Sequence, residues 1–281
     1  MKAMKNVHWI GAGLMVPSWV LNWSLSGLRT HLLFFPLWLG FALLLDGLTF
    51  ARTGSSLLTR SPRRYAGLFL VSAPAWWLFE LFNLRTQNWF YLGKESFSSL
   101  EYALFATINF STVMPAVFGA AELYRSFNFI GGQKTWIRVP TAPRSLILYA
   151  GIGFVMLALV LGAPRYSYPL LWTSLVFILE PLNYRLGART LLAELERGDW
   201  RPVWSLWLGC LTCGFFWEMW NYLSYPKWIY HTPFVQFAHV FEMPLLGYLG
   251  YLPFSMELFA LYHLTVRILG GESPYLLLSK N

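Results

Sequence analysis

The sequence predicts an all-α integral membrane protein with about eight transmembrane helices, arranged as two parallel four-helix repeats. The first observation is composition: of 281 residues, 56% are apolar and 12% are charged, and the mean hydropathy is +0.46. A soluble domain has about 25% charged residues, so a soluble globular domain is excluded. The second observation is a series of long apolar runs, and the third is the recurrence of polar motifs in both halves.

Eight apolar runs approach the length of about 20 residues that a helix needs to cross a bilayer. The first follows Lys2 and Lys5, as the apolar region of a signal peptide would, but we interpret it as a retained span. The last is too long for one straight helix and contains Pro244 and Pro253, which predict a kink or a break. The runs are 8–24, 31–50, 66–84, 100–124, 145–163, 166–184, 203–224 and 235–266.

The Lys and Arg residues alternate between the two sides of the predicted spans. Sixteen of the 21 lie in the terminal segments and the even-numbered connections, which places both termini in the cytoplasm by the positive-inside rule. The short loops and the lack of an organelle-targeting segment indicate a bacterial inner membrane. The basic residues form no stripe, so no nucleic-acid partner is expected. The five on the other side are Arg29, Arg85, Lys94, Arg165 and Lys227.

The two halves of the chain, 1–135 and 136–281, are predicted to be repeats. The matched residues are polar or Trp in an otherwise uniform apolar sequence, so chance is a poor explanation. Four helices in each half make the repeats parallel, and substrate sites often lie between such halves. Segment 77–83 matches 216–221, segment 88–91 matches 227–230, Asp46 matches Glu180, and Glu122 matches Glu257.

Acidic residues within spans are costly and are functional candidates. The topology sorts them into two layers. At the cytoplasmic ends lie Asp46, Glu122, Glu180 and Glu257, near several arginines. We expect structural ion pairs there, with a cation or proton path as the alternative.

The outer layer contains the candidate catalytic residues Glu80, Glu218, Glu242 and His239. A carboxyl group surrounded by indole rings can act as a general acid. Glu242 aligns near Thr107 of the first half, so this acid breaks the repeat. Such asymmetry is what a one-sided active site would produce.

Glu80 and Glu218 are each followed three residues later by an asparagine, which places the two side chains of each pair on one helix face. Asn83, Asn221, Trp77, Trp217 and Trp220 are the predicted substrate-binding residues. The alternative is a hydrogen-bonded network that fixes helix packing without chemistry.

No metal site is predicted. His239, Glu242 and Glu218 are ligand types, but their spacing is no known zinc signature. Cys210 and Cys213 lie within an apolar run and are expected to pack there. The sequence identifies no cofactor.

The leading functional hypothesis is acid–base chemistry on an isoprenoid or another lipid-soluble substrate, as a protonation-driven isomerase, cyclase or hydratase. Aromatic faces attract cations, which suits a carbocation intermediate. The alternatives are a cation-coupled transporter and a non-catalytic subunit of a larger membrane complex, which would have membrane-protein partners. The sequence therefore leaves open whether the chain is an enzyme. The expected partner is a membrane lipid or a lipid-soluble small molecule.

Overall fold

A computed structural model of the chain describes residues 6–132 and 136–275, and these are mostly helical. Lys2, Lys5, Lys134 and Lys280, which contribute to the charge count above, lie outside the described residues. The helices are α1 (Val7–Ser24), α2 (Thr30–Thr53), α3 (Leu57–Arg60), α4 (Pro62–Thr86), α5 (Ser99–Phe110), α6 (Val113–Arg125), α7 (Asn128–Gly131), α8 (Pro143–Gly162), α9 (Pro164–Ser167), α10 (Leu171–Arg185), α11 (Leu191–Glu196), α12 (Arg201–Tyr222) and α13 (Tyr251–Ile268).

Short strands and 3-10 helices occupy some of the connections. β1 (Trp89–Leu92) pairs antiparallel with β2 (Lys227–Tyr230), and we call this pair the ribbon. β3 (His239–Val240) and β4 (Met243–Pro244) form a small hairpin. The 3-10 helices are Lys94–Ser96, Tyr168–Leu170 and Leu245–Gly250.

Four helices in the described part of the chain are long and apolar enough to cross a membrane. They support a membrane protein, and the count of eight spans stays a prediction. The other four apolar runs correspond to α1, the segment that ends in α10, α12, and the segment that ends in α13. The four candidate spans are Thr30–Thr53, Pro62–Thr86, Ser99–Arg125 and Pro143–Gly162.

The helices α4, α6, α12 and α13 form a central group in which each packs against two others. The pair α1–α2 flanks this group through contacts with α6, and the pair α8–α10 flanks it through contacts with α13. Buried aromatic and aliphatic side chains fill the centre, with Phe79, Phe118 and Phe259 fully buried. The ribbon closes one end of the central group, which we call the ribbon end.

Small residues allow α1 and α2 to approach closely, as is common between membrane helices. A Cβ atom added to Gly11 would lie 2.4 Å from the backbone nitrogen of Leu44, and one on Gly40 would lie 2.5 Å from that of Met15. The backbones of the two helices are therefore in direct contact at these positions.

The last apolar run contains a break, as its prolines and glycines predicted. Residues 235–250 form the β3–β4 hairpin and a 3-10 helix, and α13 begins only at Tyr251. A second break, which the hydropathy pattern did not predict, separates α5 from α6 at Ser111 and Thr112.

At the end opposite the ribbon, buried acids mainly hold the starts of short helices. Asp46 accepts hydrogen bonds from the Ser56 hydroxyl at 2.7 Å and the Leu58 amide at 3.0 Å, before and within α3. Glu180 likewise accepts hydrogen bonds from Thr190 and from the Leu192 amide at the start of α11.

The other two acids predicted for this layer differ from each other. Glu122 forms ion pairs with Arg60 at 2.9 Å and Arg125 at 3.7 Å. Glu257 is fully buried and accepts a hydrogen bond from the Leu175 amide at 3.2 Å. The expected ion pairing is therefore present at Glu122. Glu257, predicted for the same layer, lies instead in the half of α13 nearer the ribbon end, six residues after Tyr251, and its partner is a backbone amide.

Candidate functional site

The ribbon joins the connection after α4 to the connection after α12. Its register pairs Trp89 with Tyr230 and Tyr91 with Trp228. The side chains of each strand therefore stand opposite those of the other, and both strands lie next to the outer glutamate–asparagine motifs.

Asn83 and Asn221 hold the two strands of the ribbon in place. Asn83 donates from Nδ2 to the Trp89 carbonyl oxygen at 2.8 Å, and its Oδ1 accepts a hydrogen bond from the Asn88 amide at 2.8 Å. Asn221 donates to the Trp228 carbonyl oxygen at 2.7 Å and accepts from the Trp228 amide at 2.9 Å. Both side-chain amides are thus engaged by backbone groups.

One carboxylate oxygen of Glu80 accepts three hydrogen bonds. Its Oε1 accepts from the indole nitrogens of Trp76 at 3.0 Å and Trp89 at 2.9 Å. The Tyr91 hydroxyl donates to the same oxygen at 2.6 Å. Three donors on one carboxylate oxygen fix the orientation of all three aromatic rings.

Glu218 is fully buried and is held by two phenols. Its Oε1 accepts hydrogen bonds from the Tyr230 hydroxyl at 2.7 Å and the Tyr251 hydroxyl at 2.8 Å. Tyr230 comes from the ribbon strand that follows α12, as Tyr91 comes from the strand that follows α4. Tyr251 is the first residue of α13 and has no counterpart among the donors to Glu80.

A cavity of about 560 Å³ lies at the ribbon end, between the ribbon, α5, the 3-10 helix 245–250 and the central helices. This volume is in the usual range for small-molecule sites, about 300 to 1,000 Å³. Trp172 forms part of its wall, with its ring centroid 5.5 Å from that of Phe79 and 5.6 Å from that of Phe254. Fifteen of the 34 residues that line the cavity are Phe, Tyr or Trp.

The two glutamates lie behind this aromatic wall, and their donors lie in it. Tyr91, Tyr230 and Tyr251 line the cavity while they donate to Glu80 or Glu218, and Trp76 and Trp89 do the same for Glu80. Between each carboxylate and the cavity therefore stand hydroxyl or indole groups that donate hydrogen bonds to that carboxylate.

The two ribbon tyrosines stay neutral over a wide pH range. Burial raises the pKa of Tyr91 well above its ordinary value, and the neighbouring Glu80 raises it further. Burial and Glu218 raise the pKa of Tyr230 in the same way. A phenol beside a carboxylate in a buried site keeps its proton because the charged form is poorly solvated.

Of the remaining predicted catalytic residues, neither lies in the cavity wall. Glu242 sits in the turn of the β3–β4 hairpin and forms an ion pair with Lys227. His239 is exposed, and its Nε2 lies 3.0 Å from Oε1 of Gln236. The structure therefore brings Glu242 to the ribbon through Lys227 and leaves His239 at the surface.

The three predicted tryptophans occupy different environments. Trp217 lines the cavity and stacks on Tyr251 with 5.9 Å between ring centroids. Trp220 is buried in an aromatic cluster against Trp38 at 5.0 Å, outside the cavity wall. Trp77 donates a hydrogen bond to the Thr107 hydroxyl at 3.0 Å, also outside the wall.

The tyrosines that lie between the carboxylates and the cavity were not predicted from the sequence. Tyr91 and Tyr230 end two segments already recognised as matching, 88–91 and 227–230, so the repeat itself contained the signal. Tyr251 and Trp172 reach the site through tertiary packing, and no spacing along the chain indicates them.

The residues that the structure describes contain no group of three or more His, Cys, Asp or Glu side chains arranged to hold a metal ion. Comparisons with protein-family models, with curated proteins and with solved structures find no match for this chain. The function must therefore be argued from the cavity and its hydrogen bonds.

Proposed function

We propose that this chain is a membrane enzyme that protonates a carbon–carbon double bond of an isoprenoid or similar lipid-soluble substrate. The observation that carries the proposal is the arrangement of Glu218 behind Tyr230 and Tyr251, at the wall of an aromatic cavity. Glu218 is the proton source, and a tyrosine hydroxyl passes the proton on to the substrate.

The proton transfer is balanced without an oxidant or a cofactor. In the proposed reactive form Glu218 is protonated and donates to a tyrosine oxygen, the reverse of the hydrogen bond in the structure. One alkene carbon takes the tyrosine's own proton, Glu218 replaces that proton, and the positive charge develops on the other alkene carbon. Indole and phenyl faces such as those of Trp172, Trp217 and Phe254 attract that cation. Their position in the wall supports a site that shields a carbocation from water.

The reaction ends when a proton leaves a carbon next to the cation. Glu80, acting through Tyr91, is the proposed acceptor, because it faces the same cavity from the other ribbon strand. The net result is a shifted double bond or, if the cation first attacks a second double bond, a ring. Both outcomes are redox-neutral.

Nothing along α6 favours the transporter alternative. Between Thr112 and Glu122 this central helix presents Val, Met, Pro, Ala, Phe and Gly, and all of these residues are buried. A proton or cation path between the two polar layers would need polar groups along such a helix.

We also propose that 1–135 and 136–281 are parallel repeats of four spans each. Asp46 and Glu180 each hold the start of a short helix, and Asn83 and Asn221 each hold a strand. The helix contacts support the same pairing, since α2 meets α6 as α10 meets α13. The halves differ at one place: the first half has α5 where the second half has the β3–β4 hairpin and the 3-10 helix 245–250. Residues of all these elements line the cavity.

The proposed location is a bacterial inner membrane, with both termini in the cytoplasm. Fusions of a periplasm-active phosphatase and of a cytoplasm-active fluorescent protein to each terminus test this topology. Fluorescence without phosphatase activity at both termini is expected. Phosphatase activity at either terminus would contradict the topology.

Mass spectrometry of co-purifying small molecules tests the function. Wild-type protein and Glu218→Gln, both extracted in native lipid discs, are compared with Glu95→Gln as a control at an exposed glutamate outside the cavity. An isoprenoid enriched with Glu218→Gln and converted by the other two proteins is the expected result. Identical small-molecule contents in all three samples, together with enriched partner proteins, would favour the non-catalytic subunit instead.

A further inference from the structure

The charged residues that line the cavity are both cations. They are Lys94 and Lys227, and no Asp or Glu is among the described residues of the wall. An apolar chamber for a neutral hydrocarbon has no need of a lysine, because an unpaired charge lowers the affinity for apolar surface. The presence of lysines in the wall therefore favours a ligand that has an anionic group.

Lys227 is neutralised within the protein. It forms an ion pair with Glu242, and its Nζ also donates to the Tyr222 carbonyl oxygen at 3.2 Å. Glu242, a candidate acid predicted from the sequence, thus balances the charge of one of the two lysines.

Lys94 has a different environment. Its Nζ lies 4.3 Å from the centroid of the Tyr102 ring, and Tyr102 also lines the cavity. Among the described residues, Lys94 forms no ion pair with a carboxylate. Its position beyond Gly93, at the end of β1, places this cation at the rim formed by the ribbon and α5.

The three other basic residues at the ribbon end serve the protein itself. Arg29 donates to the carbonyl oxygens of Asn22, Gly27 and Leu223. Arg85 donates to the Leu161 carbonyl oxygen, and Arg165 lies over the Phe234 ring. Lys94 is the cation at this end that combines a place in the cavity wall with no anionic partner among the described residues.

A second polar group faces the same part of the cavity. The ring of His31 packs edge-on against Phe97 at 5.1 Å and Phe105 at 4.7 Å, and all three line the cavity. The buried Nδ1 of His31 has no hydrogen-bond partner among the described residues. Lys94, which is exposed, and the partly buried His31 thus both line the cavity, next to the aromatic rings of Tyr102, Phe97 and Phe105.

The cavity also reaches the apolar outer surface of the molecule. Leu246 and Leu249 line it, yet their side chains are 46% and 59% exposed. Both belong to the 3-10 helix 245–250, next to the exposed residues Leu245 and Phe237. The apolar surface of the cavity wall therefore continues onto the exposed apolar surface of this helix.

We propose that the ligand is an amphiphile with a phosphate headgroup: an isoprenoid chain occupies the aromatic chamber, and the phosphate binds Lys94 beside His31. This inference rests on the proposed function, whose substrate class it narrows. A charge-assisted hydrogen bond between a lysine and a phosphate is among the strong ones in proteins, and Lys94 is exposed at the rim, where a headgroup can reach it. The headgroup fixes the position of the chain relative to Tyr230 and Tyr251.

Equilibrium binding of radiolabelled farnesyl phosphate and farnesol tests the proposal. The protein is held in discs of zwitterionic lipid, and binding to empty discs is subtracted. The wild type is expected to bind the phosphate about tenfold more tightly than the alcohol, as one charge-assisted hydrogen bond implies. Lys94→Gln is expected to remove that preference while it keeps the affinity for farnesol.

Arg165→Gln is the matched control, because Arg165 is a cation of the ribbon end outside the cavity wall, and it is expected to retain the preference. Equal affinity of the wild type for both ligands would overturn the headgroup proposal. It would still agree with a cavity that binds the apolar chain. A preference that survives in Lys94→Gln would also overturn it. Full competition by inorganic phosphate would indicate a free-anion site and overturn the amphiphile. Binding of neither ligand would overturn this inference together with the proposed function.

Discussion

Asn83 and Asn221 make the same two hydrogen bonds, each to the strand that follows its own helix. Each donates from its side-chain amide to a tryptophan carbonyl oxygen, Trp89 or Trp228, and accepts a hydrogen bond from the backbone amide of the same tryptophan. The ribbon is thereby fixed at both edges, and the ribbon positions the tyrosines that contact Glu80 and Glu218.

Replacement of these asparagines is expected to destabilise the fold. Asn83→Ala and Asn221→Ala each leave buried backbone groups without partners, which costs roughly 1 to 3 kcal/mol. The free energy of unfolding, measured by denaturant titration in detergent micelles, checks this. Asn109→Ala is the control, because Asn109 lines the cavity and its Oδ1 has no partner among the described residues. If Asn221→Ala were as stable as wild type, the strand-holding role would be wrong.

Removal of the phenol donors to Glu218 is expected to act cooperatively. Tyr230→Phe or Tyr251→Phe leaves one donor on Oε1, and each is expected to destabilise the protein by roughly 1 to 3 kcal/mol. The double variant leaves a buried carboxyl group without either phenol, so its loss should exceed the sum of the single losses. A double-mutant cycle measures this coupling. Strict additivity would show that the two hydroxyls act independently.

The close approach of α1 and α2 gives a stability prediction with a control in the same helix. Gly11→Ala places a methyl group 2.4 Å from backbone of α2, and such overpacking typically costs about 1 to 3 kcal/mol. Gly13→Ala meets no atom within 4 Å and is expected to be neutral or slightly stabilising. Thermal unfolding of the two variants side by side checks the difference. Equal midpoints would contradict the packing.

Stability is expected to fall at alkaline pH because of the ribbon tyrosines. The pKa values of Tyr91 and Tyr230 are raised in the folded state. Above about pH 10, the ordinary tyrosine pKa, the unfolded chain loses these protons while the folded chain keeps them, so unfolding becomes more favourable. The effect is absent below pH 10 and grows as the pH rises toward the folded pKa values.

The double variant Tyr91→Phe/Tyr230→Phe is expected to flatten the alkaline part of the pH–stability curve. Tyr166→Phe serves as the control, since the Tyr166 ring is 73% exposed, and it should leave the slope unchanged. The measurement is the unfolding free energy across the alkaline range. A slope that is the same in all three proteins would contradict burial of the ribbon hydroxyls.

The positions of the helices could be predicted from hydropathy, because a bilayer fixes the length of an apolar span. The run 66–84 lies within Pro62–Thr86, and the run 145–163 nearly coincides with Pro143–Gly162. Hydropathy cannot distinguish an apolar helix from apolar irregular chain, so the hairpin and 3-10 helix in 235–250 were predicted only as a break. The break at Ser111 and Thr112 does have a signal in the sequence that hydropathy does not register. Pro115 has no N–H to donate to the Ser111 carbonyl oxygen four residues earlier, so a continuous helix is interrupted there.

The candidate site could be predicted in part. Glu80 and Glu218 were recognised as buried acids among aromatic residues, since a carboxyl group in an apolar run is rarely accidental. Asn83 and Asn221 were predicted to bind the substrate. Their actual partners are backbone groups of the ribbon, and the position of a residue on a helix face cannot show that a later strand packs against it. Lys94 was used only to orient the chain, and its place in the cavity wall follows from the ribbon.

The most direct test of the central claim is deuterium transfer from solvent to an isoprenoid alkene. Wild-type protein in lipid discs is incubated in heavy water with farnesol and farnesyl phosphate, and the recovered compounds are analysed by mass spectrometry and NMR. We expect carbon-bound deuterium at an alkene position with the wild type and with Glu95→Gln, and none with Glu218→Gln. Equal labelling with Glu218→Gln, or no labelling with the wild type, would contradict the account.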